Sequence, residues 1–162
     1  MNKVYLITGG NIGDRKMNLQ KAVNLIEENI GKIIGRSSLY ETEAWGNFEQ
    51  KPFYNQVLFV ETDLTAEAIM SKILSIEEQM GRIRTFKNAA RIIDIDILFF
   101  NDEIINTEVL TIPHKEISNR RFVLMPLKEL AHNLMHPVLK QPISKLLAIC
   151  PDPLKVVRII SQ

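Results

Sequence analysis

An α+β fold made of two strand–helix–strand units follows from three features of this 162-residue chain. Two segments with helical apolar spacing, near 15–29 and from Thr65 to Gly81, each begin at a residue able to cap a helix. Four segments rich in β-branched residues flank them, near 3–9, 32–43, 54–62 and 91–100. Their order, strand, helix, strand, strand, helix, strand, is the split βαββαβ pattern of a ferredoxin-like sandwich. The segment after residue 100 then reads as C-terminal strand and helix additions to a single domain spanning 1–162.

Each element has a local reason. KVYLITG, 3–9, alternates as a strand, and GGNIGD turns the chain. Asp14 caps a helix whose Leu19, Ala22, Val23, Ile26 and Ile30 fall on one stripe. Residues 32–43 form the second strand, 44–53 (AWGNFEQKPF) a loop, and YNQVLFVET, 54–62, the third strand. Thr65 caps the second helix, with Ile69, Ile73, Ile76 and Met80 on its stripe. A basic loop leads to the fourth strand. Beyond it the pattern predicts a hairpin in NDEIINTEVL, a loop at Pro113-His114, and helical pieces near 119–131 and 142–149.

Composition narrows the function. Lys and Arg number 20 against 19 Asp and Glu, where a binder of nucleic acid or of a membrane surface needs a basic excess. The single Cys150 excludes an internal disulfide framework and suits a reducing compartment. The opening apolar run is too short for a signal peptide and no 18-residue apolar stretch exists, so the expected location is cytoplasmic.

RIIDIDILFF, 91–100, carries the chemistry. It has a buried strand's composition, yet Asp is depleted in strands and a buried unpaired carboxylate is costly. Residues two apart share a face, so Asp94, Asp96, Leu98 and Phe100 lie on one side and Ile93, Ile95, Ile97 and Phe99 on the other. The two aspartates, with Cα atoms about 7 Å apart, either form the polar margin of a sheet or converge on hard cations such as Mg²⁺. GRIRTFKNAAR, 81–91, brings Arg82, Arg84, Lys87 and Arg91 beside them with no acid from Gln79 through Ile93. Metal beside guanidinium groups is what a polyphosphate requires. Glu77, next to its helix's apolar stripe, either joins this site or pairs with a nearby arginine. In LTIPHKEISNRRF, 110–122, His114 can donate to a phosphate or nucleotide. Asn55, disfavoured in a strand unless its amide is paired, suits the edge of a heterocycle; Phe53 and Phe122 either stack on ring faces or pack in the core.

Taken in order along nearly the whole chain, these pieces resemble the 6-hydroxymethyl-7,8-dihydropterin pyrophosphokinase family of folate biosynthesis. The matching stretches are Gly9-Gly10-Asn11, Tyr40-Glu41-Thr42, Phe53-Tyr54-Asn55, Glu77 to Arg84, Arg91 to Asp96, Pro113-His114 and Asn119 to Phe122. The resemblance implies transfer of the β,γ-pyrophosphoryl group of ATP to the pterin hydroxymethyl, leaving AMP. It implies two Mg²⁺ ions on Asp94 and Asp96, with Arg82 and Arg91 catalytic beside them. It places ATP against Glu77, Arg82, Arg84, Arg91, Ile97, Thr111, His114, Lys115 and Arg120, and the pterin against Gly9, Thr42, Trp45, Phe53, Asn55 and Phe122. It implies ATP and the pterin as partners of a monomer, with no nucleic acid or membrane involved. Three places depart from the family pattern. Gly10 stands for a serine, Asn88-Ala89-Ala90-Arg91 stands for tryptophan-glycine-proline-arginine, and Val109 stands where some members carry an arginine.

Other readings use the same fold. A palm-type nucleotidyl transferase or cyclase shares the two carboxylates but has no use for the Phe53, Asn55 and Phe122 set. An RNA-binding module would need the aromatic RNP pattern, which this sequence lacks, and Asp94 and Asp96 would repel its phosphates unless metal were bound. A catalytically silent relative would bind the pterin only.

Overall fold

A computed structural model describes residues 1–44, 50–83 and 89–159. The elements are β1 (Asn2–Gly10), α1 (Arg15–Asn29), β2 (Lys32–Arg36), β3 (Leu39–Thr42), β4 (Phe53–Thr62), α2 (Ala66–Gln79), β5 (Asp94–Phe100), β6 (Ile105–Asn106), β7 (Thr111–Ile112), α3 (Arg121–Ala131), α4 (Ile143–Ala148) and β8 (Val156–Ile159). The main sheet runs β5-β1-β4-β3-β8, with β2 also on β4, and every pairing is antiparallel. β4 is its spine: β1 covers one edge from Asn2↔Thr62 to Gly10↔Tyr54, and β2 and β3 share the other.

The expected helix starts hold because they are made by bonds within one turn. Asp14 accepts from the Met17 N–H at 3.0 Å, and Thr65 Oγ1 from the Ala68 N–H at 3.1 Å. The strand expected over 32–43 is two strands, because Ser37 interrupts it. Its hydroxyl accepts from the Val57 N–H at 2.9 Å, and its carbonyl accepts from the Gln56 side chain at 2.8 Å. The C-terminal additions are the β6–β7 hairpin, a 3₁₀ turn at Ile117–Asn119, helices α3 and α4, and the edge strand β8.

Helices cover both faces of the sheet. α1 and α2 pack on one, where Leu6, Leu58, Leu19, Ile26, Ile69 and Ile73 join Ile93, Ile95 and Ile97. Burying each of those isoleucines at and beside β5 is worth roughly 1.5–3 kcal/mol, which holds the strand in place despite its two acids. α3 and α4 pack on the other face, with Ile7, Val57, Leu98, Phe99, Leu124, Leu127 and Ile143. The alternation expected along β5 is broken by a bulge. Tyr5 pairs with Phe99 but Leu6 pairs with Ile97, leaving Leu98 as an extra residue. Phe99 therefore joins Leu98 on the α3 side, and Phe100 moves to the α1 and α2 side, the reverse of the simple two-residue period.

Candidate functional site

A cleft of about 550 Å³ opens on the α3 side of the sheet, where the first half of β5 carries acids instead of leucine and phenylalanine. β1 supplies Gly9, β3 Thr42, β4 Phe53 and Asn55, and β5 Asp94 and Asp96. His114, Arg120 and Phe122 close it from the far side, and residues 151–154 form a further wall.

The two aspartates are held differently. Asp94 is clasped by two arginines, accepting from Arg82 at 2.7 Å and from Arg91 at 3.0 Å. The Asp96 carboxylate has no hydrogen bond or ion pair with any described residue, although its backbone pairs with Ile7 in the β1 ladder. Burial, then the charges of Asp94 and Glu77, push its pKa up to about 7, against a partial offset from Arg120 and Arg82. Negative charge is thus in excess at Asp96, the state a bound cation would relieve. Among the described residues no three His, Cys, Asp or Glu side chains are grouped to hold a metal. A cation here would take the two aspartates and complete its shell with water or substrate oxygens, the habit of Mg²⁺.

Glu77 lies behind this pair, 3% exposed and outside the lining of the cleft. Its carboxylate accepts from the Ile95 N–H at 2.7 Å and from Arg82 at 3.0 Å. It therefore ties α2 to β5 and aims Arg82 at Asp94. The Arg82 guanidinium is held protonated still more firmly than usual: burial opposes its charge, but the hydrogen bond and charge of Asp94 and the charge of Glu77 outweigh it.

His114 is placed by the bulge. The Leu98 carbonyl, freed from the β1 ladder, accepts the His114 N–H at 3.0 Å. Nδ1 of His114 accepts from the Glu116 N–H at 3.1 Å, so the proton of the neutral ring sits on Nε2. Burial and the nearby Arg120 lower the pKa and favour that neutral form. The ring is a donor that adds no charge beside Arg120.

The other end of the cleft suits a flat, polar-edged ligand. Asn55 is 8% exposed and makes one long bond, from Nδ2 to the Thr8 carbonyl at 3.3 Å. Thr42 Oγ1 is buried without a hydrogen-bond partner. Such orphaned polar atoms in a cleft mark where a ligand's own donors and acceptors fit. Phe53 and Phe122 add aromatic faces, with the Arg91 guanidinium 5.2 Å from the centre of the first and that of Arg120 5.8 Å from the second. The glycines beneath allow close approach. A Cβ on Gly9 would collide with Asn55 Nδ2, and one on Gly10 with the Ile92 carbonyl oxygen. Asn11 then joins three segments around the cleft mouth. Its backbone N–H reaches the Arg91 carbonyl, its Oδ1 accepts the Arg91 N–H, and its Nδ2 donates to Gln50 and the Lys51 carbonyl.

Of the residues expected from the sequence, Gly9, Thr42, Phe53, Asn55, Arg91, Asp94, Asp96, His114, Arg120 and Phe122 line this one cleft. Arg82 reaches it through Asp94. Ile97 packs in the α1–α2 core, while Thr111 and Lys115 are exposed; none of the three lines the cleft. Trp45 and Arg84 lie outside the described residues. Sequence reasoning missed Glu43, Glu116, Asn119 and the wall at 151–154. The prolines at 151 and 153 mark that wall as stiff, but only the tertiary fold shows where it lies.

A sequence model of the 7,8-dihydro-6-hydroxymethylpterin-pyrophosphokinase (HPPK) family matches residues 5–132. The chain is 40% identical over 147 residues to a 2-amino-4-hydroxy-6-hydroxymethyldihydropteridine pyrophosphokinase of Aquifex aeolicus, covering 90% of each chain. It is 37% identical over 134 residues to one of Bacillus subtilis, covering 82% of this chain and 80% of that one. Against the folic acid synthesis protein FOL1 of Dictyostelium discoideum it is 41% identical over 138 residues, 85% of this chain but only 21% of that protein. The Plasmodium falciparum HPPK-DHPS structure with pteroate superposes with a TM-score of 0.77 at 22% identity, over 91% of this chain and 42% of that one. That likeness is one of fold.

Proposed function

The chain belongs to the 7,8-dihydro-6-hydroxymethylpterin-pyrophosphokinase family, and we propose that it transfers pyrophosphate from ATP to 6-hydroxymethyl-7,8-dihydropterin in folate biosynthesis. The hydroxymethyl oxygen attacks the β-phosphorus and gives its proton to solvent, the bond from that phosphorus to the α,β-bridging oxygen breaks, and AMP leaves. The observation that supports this reading best is a single cleft with an unpaired acid and cations at one end and an orphaned hydroxyl, an amide and two aromatic faces at the other.

The residues divide along that axis. Phe53 and Phe122 stack on the pterin, and Asn55 and Thr42 pair with its polar edge. His114 donates Nε2–H to a phosphate oxygen, and Arg120 adds a fixed positive charge. Arg82 and Arg91, which clasp Asp94 in this structure, turn toward phosphate when substrate enters, so each exchanges one anion for another without being left bare. Asp94 and Asp96 would hold two Mg²⁺ ions, which when bound would neutralise the phosphates and lower the charge cost of the attack. Glu77 positions Arg82 and need not touch ATP itself. Exclusion of water as the cleft fills strengthens each of these contacts.

We further propose that the protein acts as one domain and as a monomer. We place it in the cytoplasm, where ATP and reduced thiols occur. No helix among the described residues is long and apolar enough to cross a membrane. Incubation with ATP, Mg²⁺ and hydroxymethyldihydropterin tests the reading: AMP and the pterin diphosphate are expected in equal amounts. ADP, or no nucleotide product, overturns it.

A further inference from the structure

The family match ends at residue 132, yet one wall of the cleft is built from Pro151, Asp152, Pro153 and Leu154. This tail is strapped to the start of α3 in both directions. Arg120, the residue before the helix, makes no side-chain cap bond. The Asp152 carboxylate supplies the cap from a distance, its Oδ2 accepting the Arg121 N–H at 3.0 Å. Its Oδ1 accepts the Leu154 N–H at 2.9 Å and folds the tail back into the cleft. In return the Arg121 guanidinium donates to the Asp152 carbonyl at 3.2 Å and lies 3.5 Å from that of Cys150. Two residues on, β8 pairs Val156 with Thr42, the residue whose hydroxyl is orphaned.

The strap therefore spans the slot, holding α3 and Phe122 at one end and β3 and Thr42 at the other. We propose that Asp152 and Arg121 are positioning residues that set the width of the heterocycle slot, and that Leu154 is a contact for the heterocycle. This rests on the pyrophosphokinase reading. At the phosphate end, β5, the Arg82–Asp94 pair and His114 make no bond to the strap among the described residues; only Arg120, next to Arg121 in the chain, adjoins it. Loosening the strap should therefore weaken the pterin and spare ATP.

The test measures pterin and ATP binding separately by calorimetry, with steady-state KM and kcat and a melting curve for each protein. Asp152→Ala should raise the pterin Kd and KM by about tenfold, the scale of one lost cap or charged hydrogen bond. ATP affinity should stay within about twofold. Asp152→Asn, which keeps one of the two acceptors, should recover part of the loss. Leu154→Ala leaves the latch intact and should weaken pterin alone without lowering the melting temperature, so the inference remains testable if Asp152→Ala fails to fold. Unchanged pterin affinity in Leu154→Ala and folded Asp152→Ala, or equal losses for both ligands, overturns the inference while parent activity stands. A parent protein that makes no AMP overturns the pyrophosphokinase reading and this inference with it.

Discussion

Gly9→Ala is the sharpest perturbation that the heterocycle end allows. The added methyl would overlap Asn55 Nδ2 and sit 3.0 Å from its Cγ and 3.2 Å from the Tyr54 carbonyl oxygen. The backbone contact is tight but absorbable; the side-chain contact is not. The Asn55 amide must rotate away, giving up only its 3.3 Å bond to the Thr8 carbonyl, so the fold should lose little. The ligand loses its partner at the polar edge, at about 1–3 kcal/mol, which is roughly 5- to 150-fold in Kd. Calorimetry with hydroxymethyldihydropterin and, separately, with ATP reads this directly. A double-mutant cycle isolates the cause: with Asn55→Ala already present, Gly9→Ala should cost little more. Equal loss of both ligands, or an additive cycle, would show that the methyl acts through the backbone and would refute the reasoning.

Three further outcomes are expected at the acidic end. The raised pKa of Asp96 means that the folded protein keeps a proton which the unfolded chain has lost. Stability should therefore fall as pH rises from about 4 to about 7 and then level off, Asp96→Asn should flatten that slope, and Mg²⁺ should stabilise the parent at pH 8 more than the variant, all read by urea midpoints. Glu77→Ala strands the Ile95 N–H and half of the Arg82 charge, so a loss of about 3–5 kcal/mol is expected in denaturant melts, and less for Glu77→Gln; a loss below about 1 kcal/mol would show that the tie is slack. Arg82→Ala should slow single-turnover chemistry more than it weakens ATP, because its phosphate contact forms only after it leaves Asp94; a change confined to ATP affinity would make it a ground-state clamp.

Most of the βαββαβ frame was legible because its signals are local. The caps at Asp14 and Thr65 act within four residues, and the isoleucine period of α2 declares its own buried face. The aspartates on β5 were legible as a conflict, charge where a strand should be apolar, and they do line the cleft. The rest depended on distant partners. Ser37 divides one strand into two only because Val57 and Gln56 lie opposite it. The bulge at Leu98 appears only against β1. The tail has no local feature that says it will meet α3 and β3. Asp152 between two prolines reads as a turn, and its cap lies 31 residues away.

The bulge at Leu98 limits how the length of this chain can change over evolutionary time. An insertion or deletion between Asp94 and Ile97 would exchange isoleucines and aspartates between the faces, placing carboxylates in the α1–α2 core. One beside Leu98 meets a ladder that already tolerates a residue out of step, but it would move the carbonyl that seats His114. Lineages descended from this protein should therefore hold the spacing from Asp94 to Leu98 more rigidly than that of the exposed hairpin after it, and drift in loop length should collect outside β5.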